Sequence, residues 1–374
     1  MKLLQLQGIR AIAIICVFIT HTYMWLSDDL DILYRYAWRL GEAGVATFFI
    51  LSGFLLAYKN QAIPTIDKKE IIRSAWQKVS KWYSLYLVTF AIAFIARWSD
   101  LLNGSLTNII VKAIFNLSMT QTFVPSEGIN YSFNGSSWFL SALFGIWMLI
   151  YSFPNGVNKL MNLSVYKCVV AIILIFLAQE LWMLMEELCM AHVSQKYMTL
   201  FHKWLIYYNP FICFSEYCVG VVLGRCCIQR QFPIAVQNKI AGITLIVVVV
   251  YITLLLTNTI HVTKSKMIIA ECFACMGITS VMSPKTIGNR LLSKPVLVWL
   301  GNISGYFFLI HGATNFAMQA TIAEYIPKPW LFFISFVIST LLSAFASNYY
   351  MRKQHISMRK FNNNSLNNDY HLKK

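Results

Sequence analysis

The stretch QLQGIRAIAIICVFITHTYMW, residues 5–25, decides the fold class of this protein. It is long enough and apolar enough to cross a bilayer as one helix, for which roughly 20 residues suffice. No small-residue cleavage site follows it, and Arg10 lies inside the apolar run. The segment therefore predicts an uncleaved first transmembrane helix rather than a signal peptide.

The whole chain shares this apolar character. Apolar residues make up 57% of its 374 residues. Charged residues make up only 12%, against about 25% in an ordinary soluble domain. This composition excludes disorder, collagen, a coiled coil and a disulfide-rich secreted domain, and it weighs against a soluble α/β enzyme. We therefore predict an all-α integral membrane protein.

Further apolar segments follow the first one along the chain. Together they predict about ten transmembrane helices, with bounds near 8–26, 43–58, 82–98, 137–153, 166–186, 208–225, 239–257, 267–283, 295–313 and 330–350. Residues 106–123 have apolar side chains on one helical face, which indicates an interfacial or partly inserted helix instead. The polar second half of the loop 99–136 suits a lid or a rim that binds an acceptor.

The basic residues indicate the orientation. The net charge is +16, and 22 of the 31 Lys and Arg residues fall in loops on the side that holds both termini. Basic loops stay in the cytoplasm, so both termini are predicted to be cytoplasmic in a multi-pass protein of the inner or plasma membrane. This distribution explains the positive charge without nucleic acid as a partner.

Two units are predicted along the chain. Residues 1–350 form the transmembrane domain, and residues 351–374 form a basic, disordered cytoplasmic tail. The cysteines lie almost entirely within apolar runs, and the lone CxxC pair of Cys272 and Cys275 has no second pair or nearby histidine. Buried reduced thiols explain them better than a metal site, so no metal is expected.

The first helix carries two ionisable residues, Arg10 and His21. They are eleven residues apart, which places them within about 20° of the same helical face and roughly 16 Å apart along the axis. Ionisable residues inside a span are costly and point to function. Arginine binds phosphate in a fork, and histidine is the usual general base near neutral pH. A topology-setting charge and an interfacial polar residue are the alternatives on these residues alone.

Four later segments complete a pattern: FFILSGFLL at 48–56, WFLSALF at 138–144, VGVVLGR at 219–225 and WLGNISGYFFLIHG at 299–312. With the first helix and ten spans, this ordered set resembles the membrane-bound acyltransferase 3 family over residues 1–350. It resembles the type without a C-terminal hydrolase-like domain. Leu143 and Phe144 stand where some members carry acidic residues.

The resemblance implies an O-acetyltransferase that moves an acetyl group from cytoplasmic acetyl-CoA to a hydroxyl group. The implied acceptor is a cell-surface or lipid-linked polysaccharide, such as exopolysaccharide, capsule or O-antigen. Arg10 and His21 match the functional pair of the family, and Lys78 and Lys81 match its basic stretch after the second helix.

On this hypothesis the donor phosphates bind Arg10, Lys78, Lys81 and Arg73, and the thioester reaches His21, which acts as a general base or accepts the acyl group. The candidates on the acceptor side, or near the thioester carbonyl, are Ser52, Ser137, Trp138, Glu216, Glu271 and His311. Helix packing, an interface aromatic residue and partners for basic residues are the structural alternatives for these positions.

Three other functions remain open at this stage. Ten helices with intramembrane charges also fit a transporter or flippase of a lipid-linked glycan or small solute, although a transporter has no need of the Arg10, His21 and lysine set. The enzyme could use another acyl group or a non-sugar alcohol. A catalytically silent scaffold is the last alternative.

Overall fold

A computed structural model of the protein describes residues 3–25, 30–59, 62–99, 105–190, 201–229, 266–282 and 286–371, with isolated residues between 233 and 250. No strand occurs in these residues, so the predicted all-α fold class is confirmed. The longer helices are α1 Leu4–Thr22, α2 Leu30–Tyr58, α3 Ile71–Val79, α4 Tyr83–Ala96, α5 Leu106–Leu117, α6 Trp138–Ser152, α7 Pro154–Met161, α8 Val165–Met190, α9 Pro210–Gln229, α10 Lys266–Val281, α11 Ile287–Leu292, α12 Pro295–Thr321 and α13 Lys328–His371.

Eight stretches of the described residues are long and apolar enough to cross a membrane: Leu4–Trp25, Leu40–Tyr58, Lys68–Ala96, Gly135–Ser152, Val165–Cys189, Phe201–Cys227, Pro295–Thr321 and Lys328–Arg352. Each overlaps one of the predicted spans. The predicted eighth span coincides with α10, which has 16 residues. The predicted seventh span, 239–257, lies largely outside the described residues. The total of ten and the cytoplasmic termini stay predictions.

Helix α1 lies at the centre, because both α2 and α12 pack closely against it. Gly44 of α2 faces the Ala13 carbonyl oxygen, and a Cβ atom at that glycine would lie only 2.6 Å from the oxygen. On the other side, a Cβ atom at Gly301 of α12 would overlap the Gln7 carbonyl. Small residues let helix backbones approach closely in a membrane, so these two glycines bring both neighbours onto α1.

Helices α2 and α9 approach each other through a reciprocal pair of glycines. A Cβ atom at Gly53 would overlap the Tyr217 carbonyl, and one at Gly220 would overlap the Ile50 carbonyl. Both glycines belong to the FFILSGFLL and VGVVLGR motifs of the sequence. These motifs therefore mark a helix contact in the bundle.

A serine stripe packs α13 onto the bundle. Ser335, Ser339, Ser343 and Ser347 recur every four residues and are all buried. The first of them donates a hydrogen bond to Asn315 of α12. Leu341, Phe345 and other large apolar residues of the same helix stay exposed. An apolar outer face suits contact with lipid, and the small inner face suits close packing.

Two peripheral segments differ from simple spans. The predicted interfacial segment contains α5, whose apolar residues Leu106, Ile110 and Ile114 are exposed. At the other end of the chain, α13 continues to His371. The predicted domain boundary at 350 and the predicted disordered tail, residues 351–374, stay predictions.

Candidate active site

Two histidines from distant parts of the chain meet inside the bundle. His21 of α1 and His311 of α12 stack with their ring planes 12° apart and their centroids 5.0 Å apart. The Nδ1 atom of His21 lies 2.7 Å from the Nε2 atom of His311. His311 is completely buried. The two residues therefore form a hydrogen-bonded pair in which one nitrogen must donate and the other accept.

The partner of His311 decides the direction of that bond. The Nδ1 atom of His311 lies 2.9 Å from the Phe307 carbonyl oxygen, which can only accept, so Nδ1 carries the hydrogen. In neutral His311, Nε2 is then an acceptor. It follows that His21 donates from Nδ1, which leaves a lone pair on its Nε2 atom. This is the tautomer in which an imidazole can take a proton from a substrate.

The Nε2 atom of His21 faces Tyr131. The Tyr131 hydroxyl oxygen lies 3.4 Å from it, and the two rings meet edge to face with centroids 6.3 Å apart. Burial raises the pKa of Tyr131 to about 12, with Glu127 as a smaller cause in the same direction and Arg97 opposing it. The phenol thus stays protonated and can donate a hydrogen bond at neutral pH.

Tyr131 begins a polar segment, residues 131–137, that is fixed against α12. The Asn134 amide donates to the Leu309 carbonyl oxygen at 2.8 Å, and Ser136 donates to Asn134 Oδ1 at 2.9 Å. Residues 132–137 are buried. We expected a lid or rim from the polarity of this loop. Residues 132–137 instead form an internal wall of the candidate site, because their polar groups bond to one another and to α12.

Arg10 lies at the other end of α1, beside a cavity. The cavity has a volume of about 460 Å³ and is lined by Leu3, Leu4, Leu6, Gln7, Arg10, Leu51, Leu55, Tyr58, Lys59 and Asn302. The guanidinium carbon of Arg10 lies 5.9 Å from the centroid of Phe48. No carboxylate pairs with Arg10 within the described residues. An unpaired arginine at a cavity is suited to bind an anion.

Further cations surround this end of the bundle. Lys81 lies within electrostatic range of Arg10, Lys59 and Lys78, so four positive charges share one region. Lys78 rests over the Trp147 ring at 4.8 Å, and Lys81 over the Trp82 ring at 5.5 Å. Arg73 differs from them: it is exposed and pairs with Glu70 at 3.7 Å.

Aromatic rings connect the two ends of the site. The Phe48 ring, next to Arg10, contacts the Phe308 ring with centroids 5.8 Å apart. Phe308 in turn contacts His311 at 6.0 Å, and Phe139 packs against both phenylalanines. An apolar wall therefore extends from the cationic end to the histidine pair, and such a wall suits an uncharged chain better than an ion.

Three of the other candidate residues make structural contacts. The Ser52 hydroxyl donates to the Phe48 carbonyl oxygen of its own helix at 2.7 Å. Ser137 is buried near the Tyr86 hydroxyl. Trp138 is buried against the rings of Tyr207 and Tyr208, each with its centroid 5.0 Å away. None of these contacts joins the three residues to the histidine pair.

The two candidate glutamates, Glu216 and Glu271, are buried in a separate polar group. Glu271 Oε1 accepts a hydrogen bond from Gln179 at 3.0 Å, and the same amide nitrogen also bonds Ser215 at 2.7 Å. Glu216 lies within electrostatic range of Glu271 and Glu42. The sequence left a basic partner or a polar cavity open for these glutamates. Their neighbours within the described residues include an amide, other carboxylates, Tyr207 and cysteine thiols.

Comparison with known proteins identifies the family. Residues 3–349 match the acyltransferase domain family Acyl_transf_3. The chain belongs to the acyltransferase 3 family. A relative, Acyltransferase MdmB from Streptomyces mycarofaciens, is 26% identical over 330 residues, which cover 83% of this chain and 78% of the relative. No solved structure matches the chain. The predicted family membership of this multi-pass, all-α protein is thus confirmed.

Sequence reasoning missed two residues of this candidate site, Tyr131 and Lys59. Tyr131 lies in a polar loop 110 residues from His21, and spacing along the chain gives no sign of their contact. Lys59 directly follows the apolar run of α2. Its position at the end of a span that also holds a family motif is the signal that could have identified it.

Proposed function

We propose that this protein is a membrane O-acetyltransferase. It moves an acetyl group from cytoplasmic acetyl-CoA to a hydroxyl of a cell-surface or lipid-linked polysaccharide. The observation that carries the proposal is the His21–His311 pair, which leaves the Nε2 lone pair of His21 available as a base at one end of α1. Arg10 lies at the other end of the same helix, beside an anion-binding cavity.

The donor binds at the cationic end. Its phosphates contact Arg10 and Lys59 in the cavity, with Lys78 and Lys81 adding charge nearby. Charge-assisted hydrogen bonds to phosphate are strong, which favours this end for the nucleotide part. Arg73 is less suited to this role because it is exposed and already paired with Glu70. The uncharged arm then extends along Phe48 and Phe308 toward the histidine pair.

Acyl transfer needs a base for the acceptor hydroxyl. His21 takes the hydroxyl proton on Nε2 while the acceptor oxygen adds to the thioester carbonyl carbon. His311 holds His21 in the required tautomer and orientation through its own bond to Phe307. This arrangement follows the general logic of a base that is oriented by a third group. The proton then passes to the thiolate of coenzyme A as the carbon–sulfur bond breaks.

The orientation completes the proposal. The positive charge distribution supports cytoplasmic termini, and it therefore supports a cytoplasmic position for the Arg10 cavity, on the side where acyl-CoA is made. His21 lies about three helical turns deeper, roughly 16 Å along α1. The acceptor therefore approaches the histidine pair from the opposite side of the plasma membrane.

The test compares surface polysaccharide from source cells that lack the chromosomal copy and express wild type, His21→Ala or His202→Ala at matched levels. His202 is a suitable control because its Nδ1 atom also has a partner, Glu186 at 2.6 Å, but it makes no recorded contact with the pair. We expect alkali-labile acetyl esters with wild type and His202→Ala only. Equal ester with His21→Ala, or wild-type protein that does not bind acetyl-CoA after purification, would refute the proposal; the second result favours a transporter.

A further inference from the structure

The Tyr131 hydroxyl occupies the space in front of the proposed base. His21 Nδ1 is engaged by His311, so its Nε2 lone pair faces outward from the pair, and the Tyr131 oxygen lies 3.4 Å from that atom. An acceptor oxygen that gives its proton to Nε2 must come within about 2.6–3.2 Å of it. The hydroxyl of Tyr131 and the reacting atoms are therefore brought into the same small volume.

The position of Tyr131 is fixed by its surroundings. Its ring lies flat on Gly135: a Cβ atom there would be 2.6 Å from Cζ and 2.7 Å from Cε1 of the ring. Only glycine leaves room for the ring at this distance. The next residue back, Asn134, anchors the segment to Leu309 of α12, two residues before His311. The same helix thus positions both His311 and the segment that carries Tyr131.

Gly312 makes this anchoring possible. A Cβ atom at Gly312 would lie 2.5 Å from Asn134 Oδ1 and 2.8 Å from Ser136 Oγ. The glycine that follows His311 therefore lets the polar segment press against α12. Residues 310–312 of α12 therefore contact residues 134–137 of the loop. This contact brings Tyr131 close to His21.

We propose that Tyr131 is a catalytic residue that donates a hydrogen bond to the carbonyl oxygen of the acyl group during transfer. This inference rests on the proposed function. As the acceptor oxygen bonds to the carbonyl carbon, the carbonyl π electrons move onto its oxygen, and the Tyr131 O–H stabilises that charge. The carbonyl reforms as the carbon–sulfur bond breaks. Tyr131 keeps its proton throughout, since His21 carries the acceptor proton to the leaving thiolate.

A donor that acts on the developing oxyanion affects turnover more than substrate binding. Removing one such donor costs about 10²–10³-fold in kcat in well-studied enzymes. A tyrosine that only filled space would be replaced by phenylalanine at little cost, because the ring contacts with His21 and Gly135 remain. The two roles therefore differ in the kcat of Tyr131→Phe.

The experiment uses the full-length protein in lipid nanodiscs, with acetyl-CoA as donor and the surface polysaccharide fraction of the source cells as acceptor. Release of the CoA thiol is followed for wild type, Tyr131→Phe, Gly135→Ala and Tyr208→Phe. Tyr208 is the matched control, because its ring lies in the same cluster, 6.5 Å from that of Tyr131, and has no recorded contact with His21.

We expect Tyr131→Phe to lower kcat about a hundredfold, with little change in the KM for acetyl-CoA or the KM for the polysaccharide. Gly135→Ala, which keeps the hydroxyl but displaces the ring, should lose a similar factor, and Tyr208→Phe should stay within about twofold of wild type. Unchanged melting temperatures show that the variants are folded. A Tyr131→Phe variant with kcat within about threefold of wild type, or with only a raised KM, overturns the role of Tyr131 but not the proposed function. Wild-type protein without turnover overturns both.

Discussion

His21 and His311 are 290 residues apart in the chain, yet their facing nitrogen atoms lie 2.7 Å apart. The close packing of α1 with α12, through Gly301 against Gln7, makes this contact possible. Because the Phe307 carbonyl oxygen fixes the hydrogen on His311 Nδ1, the whole pair has one direction of donation. This direction leaves a lone pair on His21 Nε2. For that reason we regard His21 as the base and His311 as the positioning residue.

His311→Leu should lower kcat by about a hundredfold or more, because His21 Nδ1 would lose its acceptor and the base its preferred tautomer. His311→Gln should lose less, since its amide oxygen can accept the same hydrogen bond. The kcat and the KM for acetyl-CoA are measured in nanodiscs, with melting temperatures as the folding control. Equal activity of His311→Leu and wild type would show that the pair plays no part in turnover.

Arg10→Ala and Lys59→Ala should weaken acetyl-CoA binding. Hydrogen bonds to charged groups contribute about 1.5–3 kcal/mol, so each loss corresponds to a Kd raised about tenfold or more. Titration calorimetry on the purified protein measures this directly. Lys159→Ala, at an exposed position of α7 that is also predicted to be cytoplasmic, is the control for net charge.

Arg73→Ala distinguishes the sequence prediction from the structure. If Arg73 binds phosphate, Arg73→Ala should raise the Kd for acetyl-CoA as much as Arg10→Ala does. Because the side chain pairs with Glu70 at the surface, we expect a smaller change in Kd. If Arg73→Ala weakens acetyl-CoA binding as much as Arg10→Ala does, Arg73 is part of the donor site.

Gly220→Ala should destabilise the fold. Its new methyl group would overlap the Ile50 carbonyl, and overpacking of this kind costs about 1–3 kcal/mol. We expect a lower melting temperature in detergent and less protein in the membrane. Gly156→Ala is the matched control, since a Cβ atom there has no neighbour within 4 Å in the part of the chain that the structure describes. A Gly220→Ala protein as stable as Gly156→Ala would contradict the close packing of α2 and α9.

Local features of the sequence predicted much of this structure. Apolar runs gave the positions of eight spans, because a bilayer demands about 20 apolar residues wherever a helix crosses it. The eleven-residue spacing gave the relation of Arg10 to His21, because one helix holds both. The pairing of His21 with His311 could not be predicted in this way, because it depends on how α1 and α12 pack. The burial of residues 132–137 was missed since polar loops are usually exposed, and here their polar atoms find partners within the segment and on α5 and α12.

Gln179→Leu should destabilise the protein more than a surface substitution does. Glu271 is completely buried, and its Oε1 atom accepts from Gln179. Without that donor the carboxyl group has no hydrogen-bond partner among the described residues, and an unsatisfied buried polar group costs about 1–3 kcal/mol. Thermal unfolding in detergent measures the effect, and Gln77→Leu, at an exposed position of α3, serves as control. If both variants have the same melting temperature, the bond between Gln179 and Glu271 contributes nothing to stability. The substrate-side role predicted for Glu271 is then the better explanation of its burial.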